Sequence, residues 1–405
     1  MTSAAMHRDH GTRVDQLARL PDKVLLRLFE VLSWVSKRDL CNVSRLNKHY
    51  HTLADAILYQ TVHFLTPELH LIFSESLSRR PRRGSAIQDI KLAYPASELE
   101  SLISDAPIHG ARLNDGPPQR FENLARTISA MSNLETLDVA VPDNLLHGIG
   151  QLFNGPFDLA CLKSCTLFYQ SKNNEYWDLR ENIHIFAHPT LETIVIKRAK
   201  LDYRGFDLPE QPHETALKRL HLIECDINDD ALSDILVFPK ALEEFVMTQL
   251  PEPEPELDES SVSIRDYMSA IKSACHSLQS ITIDFPTLYT TRALALRDFD
   301  ALKTFRLNWD HQLFGKSSKK PRLHSVGLPP NLETLEFFNE LGTDPEVTEL
   351  LINTLETLDF SARKLERLIV VESEDGMPKE FVAACKAHPR LKLDIIGGFD
   401  TEESD

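Results

Sequence analysis

Hydrophobic and polar positions follow one recurring six-residue pattern over most of this 405-residue chain. An apolar residue is followed by two variable residues, an apolar residue, one variable residue and a last apolar residue. The last two apolar positions are two residues apart, so they share one face of a short β-strand, and the first leads into that strand. The nine clear copies begin 24 to 36 residues apart, as LETLDV from Leu134, LKSCTL from Leu162, LETIVI from Leu191, LKRLHL from Leu217, LEEFVM from Leu242, LQSITI from Leu278, LKTFRL from Leu302, LETLEF from Leu332 and LERLIV from Leu365.

Helical stretches lie between several of these copies. Asp229–Leu236 and Ser263–Cys275 are examples, and in the second Ile264, Tyr267 and Met268 fall on one helical face. Strands that alternate with helices along a chain are typical of a parallel sheet. The sequence therefore predicts an α/β fold with parallel strands.

The six-residue pattern resembles the repeat of leucine-rich-repeat proteins. The copy from Leu217 continues as LKRLHLIECDINDDALSDIL, with Cys225 where the cysteine-containing repeat subclass has its cysteine. The other copies lack Asn or Cys there, so the repeats are degenerate. The resemblance implies an irregular solenoid with parallel strands on the concave side and helices outside. An ordinary α/β domain with parallel strands is the alternative.

The copies also suggest how the chain is divided. IQDIKL from Ile87 and a degenerate LKLDII from Leu391 flank the nine clear copies. We predict a disordered N-terminal tail over 1–16, a helical unit over 17–64, a connector of helix and loop with the first degenerate repeat over 65–133, the repeat region over 134–398, and an acidic tail over 399–405.

The helical unit begins with a strongly apolar helix, LPDKVLLRLFEVL from Leu20 to Leu32. Its apolar residues recur at i, i+1, i+4, i+5 and i+8, which makes a wide stripe along one side. Ser36 and Asp39 predict a capped second helix. ADAILYQTV, 54–62, predicts a short third helix, and the unit ends near Phe64. Helices this short bury little apolar area alone, so the unit should pack against the repeats or against another protein.

Residues 17–64 resemble an F-box, the module that joins receptor subunits to cullin-based ubiquitin ligases. The resemblance rests on Leu20-Pro21, the paired apolar residues of the first helix, Asp39-Leu40, Val43-Ser44 and Tyr50. AILYQTVHF is similar to the LYRTV ending common in fungal F-box proteins. The sequence departs from the family at Asp22-Lys23, where a Glu is common, and at RLNKHY, where RVCKRW is common; neither change removes an apolar contact.

The F-box resemblance implies a partner and a function. It implies that this unit docks a Skp-type adaptor, and through it a cullin, while the repeats bind a protein substrate. The chain would be the substrate-recognition subunit of a Skp–cullin–F-box E3 ubiquitin ligase. The alternatives are a scaffold or regulator without ubiquitin transfer, and a stripe that only caps the repeats. The residues implied in adaptor contact are Leu20, Pro21, Val24, Leu25, Leu28, Phe29, Leu40 and Val43.

Outward-facing positions of the predicted strands are candidates for substrate binding. They are chemically mixed, and Arg219, His221 and Arg306 lie near the middle of the series. These cations would favour an acidic or phosphorylated segment of a target protein. A solvated face without a ligand is the alternative.

Composition and short motifs limit which functions and cellular locations the sequence supports. The net charge of −17 does not favour nucleic-acid binding, which needs a basic surface. Six scattered cysteines without a CxxC pair favour a reducing compartment over disulfides or a zinc site. Without a secretory signal over 1–19 or an apolar run long enough to span a membrane, we expect the cytoplasm, the nucleus or both. The sequence contains neither G-x-S-x-G nor H-E-x-x-H, so we expect a non-enzymatic protein without cofactor or metal.

Overall fold

The computed structural model describes residues 17–64, 67–93, 127–143, 146, 151–153, 159–171, 175–202, 214–250, 261–285, 287–289, 294, 296–308, 327–341, 348–349, 351–353, 355–356, 358 and 362–397. The predicted disordered tail over 1–16 and the predicted acidic tail over 399–405 lie outside these residues.

A large parallel sheet of twelve strands runs from one end of the described chain to the other. Its strand order follows the sequence, and each strand is parallel to the next. The predicted α/β fold with parallel strands is confirmed. The strands are β1 (Thr61–Phe64), β2 (Asp89–Ala93), β3 (Thr136–Pro142), β4 (Ser164–Gln170), β6 (Thr193–Lys197), β8 (Arg219–Ile223), β10 (Glu244–Thr248), β11 (Ser280–Asp284), β12 (Thr304–Leu307), β13 (Thr334–Leu341), β14 (Arg367–Glu372) and β15 (Lys392–Ile396).

Every copy of the six-residue pattern coincides with one of these strands. The leading leucines, such as Leu134 and Leu217, are buried, and so are the alternate strand positions that follow them in the nine clear copies. In the degenerate copy on β15, Leu393 is half-buried and Ile395 is exposed. A repeated hydrogen-bond arrangement joins neighbouring copies at the start of each strand. For example, the backbone N–H groups of Lys163 and Ser164 both donate to Glu135 O, at 2.8 and 3.0 Å. Buried apolar residues on one face and this hydrogen bonding together hold the strands in register.

Shorter elements complete the region between the strands. A second parallel sheet contains β5 (Trp177–Asp178), β7 (Ala199–Leu201) and β9 (Asp226–Ile227). The two predicted helices are confirmed as α5 (Asp229–Ile235) and α6 (Ile264–Ile271). A later helix, α7 (Lys379–Ala387), precedes β15. Short 3-10 helices occupy Pro81–Ala86, Gln151–Phe153, Leu179–Ala187 and Lys272–Ala274.

The N-terminal unit contains a 3-10 turn, Leu17–Arg19, and the helices α1 (Asp22–Val35), α2 (Lys37–Ser44) and α3 (Lys48–Gln60). The predicted cap is confirmed, because Ser36 Oγ accepts the Asp39 N–H at 3.2 Å. The third helix begins six residues before the predicted segment ADAILYQTV and ends two residues before that segment does. It ends at Gln60, and the following four residues form β1, the first strand of the large sheet.

The helices of this unit have a core of their own. It consists of Leu25, Phe29, Leu40, Tyr50 and Ala54, separate from the continuous core of the sheet. The Phe29 and Tyr50 rings meet edge to face, with centroids 5.8 Å apart. The buried side of α1 therefore packs on α2 and α3, whereas Tyr59 at the end of α3 packs against the sheet core.

One half-buried cation joins this unit to the segment that follows it. Arg83, in the 3-10 helix before β2, donates to both carboxylate oxygens of Asp55 in α3, at 3.2 and 2.9 Å. It also donates to Tyr59 Oη at 2.8 Å, and its guanidinium lies 4.5 Å from the centroid of that ring. Helix α4 (Pro67–Arg79) lies between the two partners in sequence. This contact fixes α3 relative to the start of the sheet.

Cys225 lies inside the turn between β8 and β9, as the repeat pattern predicts. Its side chain is fully buried, and its Sγ lies 3.3 Å from Ile223 O and 3.5 Å from Ile196 O. The Ala199 N–H donates to the same sulfur at 3.5 Å. The thiol thus connects the backbones of two neighbouring copies, and its burial raises its pKa to about 12.

This raised pKa predicts how stability depends on pH. The pKa of an unfolded cysteine is about 8.5, so between that pH and about 12 the unfolded chain loses a proton that the folded chain keeps. The free energy of unfolding should fall as pH rises, by at most about 1.4 kcal/mol per pH unit for this group. Urea unfolding of the wild type and of Cys225→Ala, from pH 8 to 10.5, measures the contribution. The variant should show the shallower decline, and equal slopes would contradict the assignment.

Candidate interaction surfaces

Helix α1 carries a stripe of apolar side chains that nothing in the described structure covers. Val24, Leu28, Val31 and Val35 recur at i, i+4, i+7 and i+11, which places them along one line of the helix. Their exposed fractions are 43%, 45%, 51% and 79%. We call these four residues the α1 stripe. A row of large aliphatic side chains left in water is typical of a surface that binds another molecule.

The predicted adaptor contacts separate into two groups. Leu25, Phe29 and Leu40 are at most 3% exposed and belong to the core of the helical unit. Their side chains hold α1 and α2 together and are not part of the accessible surface. The other five predicted contacts are exposed or half-buried: Leu20, Pro21, Val24, Leu28 and Val43.

Four exposed apolar residues near these positions were not predicted. Val31 and Val35 continue the α1 stripe, and the helical period from Val24 was the signal that could have identified them. Trp34 is 87% exposed, and Leu46, in the turn after α2, is 68% exposed. Tryptophan is frequent among the residues that contribute most to protein–protein binding. The accessible apolar surface therefore extends beyond the predicted set.

The open face of the large sheet carries the predicted substrate residues, but it does not bring them together. Arg219 and His221 are on β8, and Arg306 is on β12, with β10 and β11 between them. Arg306 Nε lies 2.9 Å from Glu336 Oε2 on the next strand. His221 Nε2 lies 3.4 Å from Glu244 Oε1, without the geometry of a hydrogen bond. These carboxylates offset much of the positive charge that an anionic ligand would need.

Arg219 differs from the other two. It is exposed, and its Nε donates to Thr193 Oγ1 at 3.0 Å. No carboxylate pairs with it among the residues that the structure describes. Of the three predicted substrate contacts, Arg219 is thus the one without a close carboxylate contact among the described residues, although Glu244 lies opposite it on β10.

A shallow groove of about 490 Å³ lies where β10 to β14 begin. Its polar lining mixes both charges, with Glu243, Asp300 and Glu333 beside Lys303 and Lys364. The Asn331 amide donates to Asp300 O at 2.7 Å, so part of this lining is engaged within the protein. The groove has neither the enclosure nor the apolar walls typical of a small-molecule site.

Within the described part of the chain, no three His, Cys, Asp or Glu side chains are grouped so that they could hold a metal ion. None of the helices described combines the length and the apolar character needed to cross a membrane.

Comparison with protein-family models gives no match, and comparison with curated protein sequences gives none either.

Proposed function

We propose that this protein is the substrate-recognition subunit of a Skp–cullin–F-box ubiquitin ligase. In this proposal residues 17–64 are an F-box that docks a Skp-type adaptor, and the adaptor joins the chain to a cullin. The observation that carries the proposal is the α1 stripe, an uncovered apolar surface on a helical unit with a separate core. Docking would remove water from the α1 stripe and from the apolar surface of the adaptor, which favours association.

The contacts of α1 support docking as a preformed surface. Leu25 and Phe29 anchor the helix to α2 and α3, so Val24 and Leu28 are presented on a fixed backbone. A preformed surface avoids much of the entropy cost of ordering a segment during binding. The apolar spacing fits a helix that lies in an apolar groove of the partner.

The second part of the proposal concerns the large sheet. We propose that it is an irregular leucine-rich-repeat solenoid whose strand face binds the target protein. Supporting this, the strand order follows the sequence, and successive copies repeat one hydrogen-bond arrangement. Arg219 is the residue that we propose for contact with an acidic segment of the target, because it is exposed and not paired with a carboxylate among the described residues.

A receptor of this kind works without an active site of its own. It raises the concentration of the target next to a ubiquitin-charged enzyme bound elsewhere on the same scaffold. We therefore propose a non-enzymatic role without cofactor, in the cytoplasm, the nucleus or both.

The proposal is tested by assembling the full chain with a purified Skp-type adaptor and a cullin. Size-exclusion chromatography should show one complex with the wild type, and Val24→Asp/Leu28→Asp should elute separately. The matched control is Leu69→Asp/Ile72→Asp, since these residues of α4 are also exposed, at 46% and 64%. It makes the same chemical change outside the stripe and should assemble normally. Failure of the wild type to assemble would reject the proposal, and assembly without ubiquitin transfer to bound proteins would favour a scaffold or regulator.

A further inference from the structure

The helical unit is a basic region on an acidic chain. Residues 17–64 carry a net charge of +3 while the whole chain carries −17, so the remainder carries −20. All of the cations in this unit are exposed: Arg19, Lys23, Arg27, Lys37, Arg38, Arg45 and Lys48.

Three of the four carboxylates of this unit have a partner of their own. Asp55 is held by Arg83, and Asp22 Oδ1 lies 3.0 Å from His49 Nε2. Glu30 pairs with Arg27 at 2.9 Å. The remaining six cations pair with no carboxylate among the residues that the structure describes. Lys37 Nζ donates to Thr61 O at 2.9 Å, but a carbonyl does not neutralise its charge. Most of the positive charge is therefore available to a partner.

Some of these cations lie beside the α1 stripe. Around the helix axis, Arg27 is about 60° and Lys23 about 100° from Val24, on the side away from Leu25. Lys37 and Arg38 begin α2 directly after the stripe ends at Val35. When a partner covers the α1 stripe, the edge of its binding surface must lie close to these positive charges.

We infer that the partner covering the α1 stripe is an acidic protein whose apolar groove is bordered by carboxylates. This inference rests on the proposed function, and it specifies the chemistry of the adaptor surface. Opposite charges at the rim of an interface raise the association rate, and like charges reject wrong partners. The rest of the chain, with its net charge of −20, would repel such a protein. The basic helical unit would therefore also direct the partner to the correct end of the chain.

The test measures association of the full chain with a purified Skp-type adaptor by surface plasmon resonance. For the wild type, the association rate constant should fall by about tenfold between 0.05 and 0.5 M salt, as expected for a steered encounter. Lys23→Glu/Arg38→Glu should lose about tenfold in the association rate constant at 0.05 M salt, with little change in dissociation. Both positions lie in the first turn of a helix, where glutamate is favourable, so the helices should remain folded.

The matched control is Lys386→Glu/Arg390→Glu, near β15 at the other end of the sheet. It changes the net charge by the same amount and should keep the association rate constant within about twofold, because screening removes distant charges. Salt-independent association, or equal slowing by both double variants, would overturn the inference and leave docking intact. If the wild type does not bind the adaptor, the proposed function and this inference both fail.

Discussion

Replacing Phe29 by alanine should unfold the helical unit and abolish adaptor binding, although Phe29 is not on the surface. Its side chain is 3% exposed and packs edge to face on Tyr50. Truncation of a buried phenylalanine costs about 3–5 kcal/mol. A core of this size contributes only about 3–5 kcal/mol in total, so the loss is comparable with the entire stability of the unit.

Leu28→Ala is the matched control, because Leu28 is the neighbouring residue on the same helix and is 45% exposed. Its stability should change by less than about 0.5 kcal/mol, as for other surface substitutions. Adaptor binding should nevertheless weaken by about tenfold, the loss typical of a side chain central to an interface. Hydrogen exchange over residues 17–64 and an adaptor titration separate the two effects. If Leu28→Ala unfolded the unit, or Phe29→Ala left it folded, the assignment of core and surface would be wrong.

Phe305→Ala should destabilise the middle of the large sheet by about 3–5 kcal/mol. Phe305 is fully buried on β12, and its backbone is paired between Ile281 on β11 and Leu335 on β13. A cavity at this position removes contacts with the core on both sides of one strand. Denaturant unfolding should show the loss as a lower midpoint.

The effect of Phe305→Ala should also be local. Faster hydrogen exchange is expected in β11, β12 and β13, while α1 to α3 keep their protection because their core is separate. Thr304→Ala is the control, since Thr304 is half-buried on the same strand and its truncation leaves the buried face intact. Equal loss of protection in the helical unit would contradict the separation of the two cores.

The large sheet was predictable because its signal is local and repeated. Each strand needs its leading leucine and two apolar residues two positions apart, and these are consecutive in the chain. The strands that follow Leu134 and Leu365 could therefore be predicted from the local sequence, without information about distant contacts. The strand β1 has no such signal, because Thr61–Phe64 is a strand through pairing with Asp89–Leu92, 28 residues further on.

The candidate surfaces were less predictable, because burial depends on distant residues. In sequence, Val24, Leu25, Leu28 and Phe29 form one apolar stripe. The structure buries Leu25 and Phe29 against α2 and α3 and leaves Val24 and Leu28 in water. The position of those two helices, which a single-helix pattern does not contain, decides which side is core.

By itself, then, the sequence determined where the strands of the six-residue copies lie and that the N-terminal unit is helical, since these follow from periods of two and 3.6 residues. That these strands are parallel followed from their alternation with helices. The tertiary structure alone decided which apolar residues of α1 are accessible and which cations are free. In the sequence, Arg306 was a candidate for binding an acidic segment of a target protein. Strand register placed Glu336 beside Arg306, where the two form an ion pair. Register also placed Glu244 opposite Arg219, but Arg219 donates to Thr193 on the other side and forms no ion pair among the described residues. Neighbouring strands, rather than neighbouring residues, therefore set the charge on a sheet face.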